Sequence, residues 1–599
     1  MIRFGRDICT DLVQAERREW WLSNGLGGYA GGTIADSLTR RYHGLLIAPV
    51  KSVLDRHLLM AKAEVTLEID EEQWPLYSNR WKTGVTEPSG HLHIESFYLD
   101  GHLPVWIYAV QGIRLEKRIF MESGTHATWI AFRLLNPQLK TGVKLNIRFL
   151  VNFRDHHDQM TSGSIRPMIT AQNDKSLSVD YSNDSLLQIQ LVDGKLTPSN
   201  RWVNNFLLEK ESERGLPELE NHLEVGQSEI ELVPARWRGV RMAVQASSNL
   251  NLPAILKLER ARQTHFLALA QQQLGLSGPS WVQQLVLSAQ SFIFERPLDS
   301  GQTGKSIIAG YPWFGDWGRD TMISLPGLTL STGQFDTALQ ILETFANYVD
   351  KGMLPNRFPE AHDSYLEKPE YNTVDAALWY ILAWNAYIEA TDDLTALKNV
   401  MPVLKEIIAY YIKGTRYKIH MDESDALIYA GQEGSQLTWM DAKIGNWVVT
   451  PRIGKPVEVN ALWFNALKIL EYFSQRLDQD DSRYAELADR AKQGFQRFVK
   501  SEGGLYDVLD TPEGDDATIR PNQIFALSLP WPLVDNSQAE LILKTVQQQL
   551  YTSYGLRTLA PEDKKYCGRY QGGVTKRDSA YHQGTVWAWL LGPFAMADY

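Results

Sequence analysis

The stretch WFGDWGRDT, residues 313–321, sets two Trp, a Phe, two Asp and an Arg around two glycines, just ahead of an apolar, helix-like run. A buried ion pair needs no aromatic faces, and a hydrophobic core needs no charges. Such a stretch reads as the lip of a polar pocket at a helix entrance. Polar-aromatic stretches of this kind return down the C-terminal half, and their spacing decides the fold.

From Ser280 onward the apolar period is helical. In DTALQILETFANYV (336–349), Ala338, Ile341, Leu342, Phe345, Tyr348 and Val349 share one stripe. Ten helix-like segments can be marked, at 280–295, 320–332, 336–350, 373–391, 395–412, 457–476, 483–500, 521–530, 537–550 and 582–597. The polar-aromatic stretches stand before the second, fourth, sixth, eighth and tenth of them. If the even segments form an inner ring and the odd ones an outer ring, the loops entering the inner ring meet at one end and build one pocket. A closed double ring of this type has six hairpins; five are found.

Before residue 250 the period is two. VKLNIRFLVNF (143–153) puts Val143, Leu145, Ile147, Phe149, Val151 and Phe153 on one face, and SLSVDY and LLQIQL repeat the habit between ND and DG turn signals. The chain is therefore expected to be multi-domain. An N-terminal antiparallel β-sandwich covers 1–250, and a linker helix lies in 251–279 around LKLERARQTHFLALAQQQ. An (α/α)6 barrel occupies 280–599 with its last helical pair missing.

Composition narrows the function classes. A hydrophobic content of 44% with 22% charged residues is that of a folded soluble protein, and a net charge of −11 over 599 residues argues against nucleic acid or an anionic membrane as partner. Cys9 and Cys567 make no disulfide framework or metal motif, no leader or 18-residue apolar run is found, and a reducing cytoplasm is expected. The 19 Trp are unusual, because several stand beside Asp, Arg, Gly or Asn rather than inside apolar runs. Flat rings over the C–H face of a sugar explain that placement; aromatics of a large core and domain interface are the alternative.

Six stretches together resemble the bacterial and archaeal glycogen debranching enzymes of the amylo-α-1,6-glucosidase family. They are EWWLSNGLGGYAGGTIADSLTRRYHGLLIA (19–48), GYPWFGDWGRDTMISLPGL (310–328), GMLPNRFPE (352–360), YNTVDAALW (371–379), TWMDAKIGNWVVTPRIGKPVEVNALW (438–463) and RDSAYHQGTVWAWLLGPF (577–594). The resemblance implies a β-sandwich followed by a glucoamylase-like barrel, and hydrolysis of α-1,6-linked glucose stubs on glycogen, limit dextrin or another branched α-glucan. It implies no cofactor and no metal. An α-1,4-acting glucoamylase-like enzyme and a catalytically impaired glucan-binding protein are the alternatives.

Glycoside cleavage needs a carboxylic acid to protonate the leaving oxygen and a carboxylate to direct water or attack carbon. By resemblance the reaction is inverting, and Asp441, ahead of the sixth segment and close to Trp439, is the general acid; a helix N-cap is its plainer reading. Asp316, Arg319 and Asp320 resemble innermost sugar contacts, with Trp313 and Trp317 as walls; a structural Arg–Asp cluster is the alternative. Asn356, Arg357, Tyr371 and Asp375 are expected to line the same pocket, although Asp375 could be an ordinary first-turn acid. Lys443 and Glu458 are expected to pair beside the acid, and Tyr581, His582 and Gln583 to touch substrate.

Two stretches are set aside. GLGGYA (25–30) fits a nucleotide pattern but lacks its βαβ context, so a tight sandwich turn is expected. DHHD (155–158) follows a strand with nothing to complete a metal site, and a polar loop is expected. In the family resembled, the chain continues with a sixth hairpin whose loop carries the catalytic base in a Ser-Glu-hydrophobic segment. Here it ends at WLLGPFAMADY without one. Truncation, a completing chain and a substitute carboxylate are the alternatives, with Asp578 the internal substitute; an incomplete ring is also expected to promote self-association.

Overall fold

The computed structural model describes residues 2–136, 142–161, 163–181, 186–275, 278–298, 300–359, 368–479, 481–501 and 503–599. The ND turn at 183–184 and the Glu at 360 lie outside the described residues. Two compact units divide the chain, the first Met1–Gly315 with Ser331–Gly333, the second most of the chain from Asp316 to Tyr599.

The first unit holds two antiparallel sheets over one core. One runs in the order Arg3–Phe4, Ile94–Asp100, Leu103–Val110, Ile113–Met121, Ala127–Leu134, Arg238–Ala243, Leu186–Leu191, Ser176–Asp180, Met168–Asn173. The other runs Lys195–Leu207, Leu219–Leu232, Val143–Asp155, Arg56–Ile69, Gly44–Pro49, Tyr29–Thr33, Glu19–Ser23, with Glu72–Pro75 also on Arg56–Ile69. Trp106, Ile119 and Phe132 of one sheet share a buried cluster with Val65, Ile147 and Val225 of the other. That is the sandwich expected from alternating apolar positions.

The Val143–Asp155 strand shows why alternation is imperfect. Val143, Leu145, Ile147 and Phe149 are buried with half-buried residues between, but register shifts on either side of Leu150 leave Leu150, Val151 and Asn152 all buried. The GLGGYA turn is held by Asn24, whose Oδ1 accepts from Leu26 N at 2.9 Å and Gly28 N at 3.1 Å. Gly27, at φ 83°, fits there because a Cβ would lie 2.7 Å from Val53 O.

The helix Leu252–Leu274 starts on Asn251, whose side chain accepts from Ala254 N, and stops at Gly275 in the left-handed region. Helix Ser280–Ala289 packs on it and belongs to the same unit. The segment expected to be helical to 295 turns over at Gln290–Phe292, and Ile293–Pro297 pairs as a strand with Thr303–Ile307. The β-branched and aromatic Ile293-Phe294 pair and Pro297 favour that outcome.

In the second unit, five helices follow one another around an arc: Gly318–Leu328 packs on Ala376–Thr391, that on Val457–Arg476, that on Phe525–Ser528, and that on Leu591–Asp598. The second and third of these are buried on nearly every face, as inner helices must be. Helices Phe335–Ala346, Leu394–Lys413 and Arg483–Phe495 flank them, and Asn536–Gln549 packs on the Pro521–Ile524 turn. Each of these four carries a one-sided stripe, such as Tyr484, Ala488, Ala491 and Phe495. The expected alternation is thus present.

Three boundaries differ from expectation. Phe335–Ala346 stops before Tyr348 and Val349. The eighth segment is a short 3₁₀ turn and one helical turn, Pro521–Ser528, confined by Pro521 and Pro530. The tenth begins at Ala588 rather than 582, because Gly584 at φ 120° and the strand Val586–Trp587 intervene; a further helix, Val574–Ala580, precedes it.

Candidate active site

Arg319 is the hub of the second unit's loop end. It sits in the first turn of Gly318–Leu328, with 6% of its surface exposed. Its Nε donates to both Asp375 oxygens at 2.9 Å, its Nη1 to Asp441 Oδ2 at 3.0 Å, and its Nη2 to Thr373 Oγ1 at 2.9 Å and Leu437 O at 3.2 Å. Three loops entering three successive inner helices therefore close on one guanidinium. Asp375 stands at the N-cap of Ala376–Thr391 but makes no capping hydrogen bond; its carboxylate is held by Arg319 and by Thr373 Oγ1 at 2.5 Å.

The first of those loops needs a glycine. Gly318 N donates to Asn356 O at 2.9 Å, and a Cβ on Gly318 would lie 2.0 Å from Pro355 O. That approach fixes the Asn356–Arg357 strand against Trp317, with Arg357 bridged to Trp317 through the backbone and its guanidinium 5.8 Å from the indole centroid. Arg357 is also tied to Glu370 at 3.2 Å. Asn356 is buried, and its Oδ1 has no hydrogen-bond partner among the described residues, which leaves an acceptor for a ligand hydroxyl. Asp316 is buried beside the same strand, its carbonyl facing Phe358 N at 3.5 Å.

Asp441 keeps about a quarter of its side-chain surface exposed (25%). The enclosure around it nevertheless raises its carboxyl to about 7, against the opposing pull of Arg319 and with help from the charges of Asp320 and Asp375. Asp320 has an exposed surface, yet burial of its carboxyl among protein atoms pushes it up too, again against Arg319. A reachable carboxyl that stays protonated near neutral pH, gripped through one oxygen by a permanent cation, is equipped to give up a proton.

An aromatic cluster gathers around Trp439, two residues before Asp441. Trp439 makes edge contacts with His582 (5.3 Å), Trp587 (5.9 Å) and Trp589 (5.1 Å), and its Nε1 donates to Asn522 Oδ1 at 2.7 Å. His582 is buried, stacks on Trp587 at 5.2 Å, and has no hydrogen-bond partner on either ring nitrogen among the described residues. Burial, with Arg520 and Arg319 nearby, holds it well below its ordinary value and so neutral. Tyr581 packs on both rings at 4.6 and 5.2 Å, and its hydroxyl is pushed up by burial and by the charges of Asp441, Asp320 and Asp578. Asp578 is half-buried near the end of Val574–Ala580.

The other expected site residues are held as follows. Lys443 and Glu458 do not pair: Lys443 is exposed and donates to Gly434 O at 3.1 Å, while Glu458 is buried and held by both Nη atoms of Arg452. The planar fork of Arg452 satisfies both Glu458 oxygens and reaches Asp507 at 2.9 Å, which one ammonium on an exposed hairpin could not do. Tyr371 donates to Tyr348 O at 2.7 Å under the Arg416 guanidinium. Gln583 Nε2 is engaged by Val449 O and Thr450 Oγ1. Trp313 belongs to the first unit, where Tyr42 meets it edge-on at 6.4 Å and Arg40 lies 5.4 Å from its centroid. The DHHD loop is there too, with Tyr29 and Tyr42 hydroxyls on Nδ1 of His156 and His157 at 3.1 and 3.0 Å.

Thr373, Arg452, Asp507 and Asn522 were not foreseen. Thr373 lies two residues before Asp375 in a quoted stretch, but Asp507 and Asn522 sit in ordinary-looking sequence. Asn522 Nδ2 donates to Asp507 Oδ1 at 2.7 Å, so a continuous chain runs Glu458–Arg452–Asp507–Asn522–Trp439. The three Asp422, Asp425 and Asp510 carboxylates that converge elsewhere in this unit are occupied by Lys455 Nζ at 2.7–2.8 Å.

Comparison with known proteins bears on the family and the fold. The family description "Amylo-alpha-1,6-glucosidase" matches residues 286–599, and "Glycogen debranching enzyme N terminal" matches residues 18–238. A glycogen debranching enzyme of Saccharomyces cerevisiae is 26% identical over 393 residues, covering 50% of this chain and 25% of the yeast protein. The chain thus spans about a quarter of that relative's length. A bacterial glucoamylase crystallised with acarbose is similar in fold, with a TM-score of 0.57 at 11% identity over 97% of this chain and 85% of that one.

Proposed function

The chain belongs to the amylo-α-1,6-glucosidase family of glycoside hydrolases, and on that premise we propose that it cleaves α-1,6-linked glucose at branch points of a glycogen-like glucan, with Asp441 as general acid. One observation carries the acid assignment: a solvent-reachable carboxyl raised to about 7 while Arg319 holds its Oδ2 at 3.0 Å. The carbonyl-type oxygen of a protonated carboxyl is the better acceptor for a guanidinium N–H, so in this reading Oδ2 faces Arg319 and Oδ1 carries the proton toward the bridging oxygen. As the glycosidic C–O bond breaks, that proton passes to the leaving sugar. Asp441 becomes a carboxylate, whose charge Arg319 already faces.

Water attacks the anomeric carbon from the opposite side, giving inversion. Asp578, half-buried near the end of Val574–Ala580, is the carboxylate offered to activate it. Asn356, Trp317 and His582 supply, in this reading, an acceptor, a ring face and a neutral imidazole for the glucose unit.

The test is glucose release from branched limit dextrin by wild type and by Asp441→Asn. Turnover should fall by about 10²–10⁴-fold while dextrin binding is kept; unchanged turnover rejects the acid. Anomeric proton NMR should show β-glucose first, and Asp578→Asn should slow its appearance. Preference for maltotriose over panose would favour an α-1,4-acting enzyme instead.

A further inference from the structure

Asp441 is followed at once by a hairpin, in which Lys443–Ile444 pairs with Trp447–Val448 across Gly445 and Asn446. Gly445 has φ 58°, the value its place in a two-residue II′ turn requires. The turn leaves Trp447 53% exposed. The hairpin's first strand packs against the Val574–Ala580 helix, which leads directly into Tyr581. Tyr581 in turn lies 5.7 Å from the ring of Tyr570, which is 49% exposed and has Arg577 over it at 5.9 Å. Two open aromatic rings thus lie near the acid's surroundings, Trp447 on the hairpin that follows Asp441 and Tyr570 against Tyr581.

We propose that Trp447 and Tyr570, continuing outward from Tyr581, form the binding surface for the α-1,4-linked main chain from which the scissile branch departs. This rests on the reading of Asp441 as the acid. An acid faces the bridging oxygen, so the sugars next to it on its outer side are those of the leaving group. In a branch-point substrate that group is a polymer running on in both directions, too long for any enclosed pocket. It needs an open, ring-lined track. Trp and Tyr rings cover the apolar C–H face of a pyranose while their edges stay wet. Arg577 and Tyr581 hold the Tyr570 ring, whose remaining surface, 49% of the residue, is open to a sugar.

The test is equilibrium binding of maltoheptaose, a linear α-1,4 glucan without branches, to the full chain by titration calorimetry. It is read in the Asp441→Asn background so that turnover plays no part. Trp447→Ala and Tyr570→Ala should each weaken binding about tenfold, from the apolar area one ring face gives up to water, while Trp447→Phe and Tyr570→Phe retain most of it. Circular dichroism and thermal melting confirm that each variant is folded. The proposal is overturned if the full chain binds no maltoheptaose, if the alanine variants bind within twofold of the parent, or if the ring-retaining variants bind as weakly as alanine. Failure of the hydrolase reading shows separately, as absence of glucose release from limit dextrin by wild type.

Discussion

Replacing Asp441 by Asn should stabilise the protein, and by an amount that depends on pH. A carboxyl that titrates near 7 in the folded chain instead of its ordinary 3.8 prefers its neutral form by about 4 kcal/mol. With a quarter of the side chain open to solvent, screening reduces that to about 2–3 kcal/mol. Below pH 3.8 wild type is protonated both folded and unfolded, and Asn, of the same shape, brings no advantage. Between pH 4 and 7 the folded chain holds the extra proton, so wild-type stability falls as pH rises through that window and levels off above it. Asn carries no charge to bury, so the gap between variant and wild type opens over the same window. Thermal melting at half-unit pH steps should show near-coincident curves at pH 4 and a variant roughly 2 °C higher at pH 8. A gap that stays flat from pH 4 to 8, or closes, would refute the claim that Asp441 is held protonated by its surroundings.

The same titration predicts that kcat/KM for dextrin hydrolysis falls above about pH 7 as the acid loses its proton; a profile flat to pH 9 would remove Asp441 from the role. Arg452→Met leaves Glu458 and Asp507 buried without their cation and should cost about 3–5 kcal/mol, seen as a lowered melting temperature; an unchanged melt would contradict the pairing. Gly318→Ala forces a methyl against the Pro355 carbonyl and should cost about 1–3 kcal/mol. Because Arg319 is the next residue, turnover should drop further than stability alone explains, and an alanine variant with full activity would show that the close approach is unimportant.

The architecture was legible because it is written in periods. The alternation of Val143 to Phe149 and the stripe of Ala338, Ile341, Leu342 and Phe345 are patterns any window detects. The inner helices showed themselves through the motifs that precede them. Their ends were harder to read: Gly584 and Pro521 interrupt segments whose apolar content alone looked continuous. Arg319 meets Asp375 and Asp441 rather than only its sequence neighbours Asp316 and Asp320, and that pairing is a property of three loops in space. The Lys443–Glu458 pairing failed because sequence proximity cannot show that a hairpin turns Lys443 outward while Arg452 turns inward. Asp507 and Asn522 left no signal, because an ordinary acid and amide gain meaning only through Arg452 and Trp439.

One guanidinium joins side chains 56 and 122 positions away along the chain. No short fragment of this polypeptide can therefore carry a working pocket, since every piece would lack at least one of the three loops. In rising denaturant, glucose release should vanish while most of the helical circular dichroism persists. Sliding one inner helix by an ångström or so parts the cation from its carboxylates long before the helix itself unwinds.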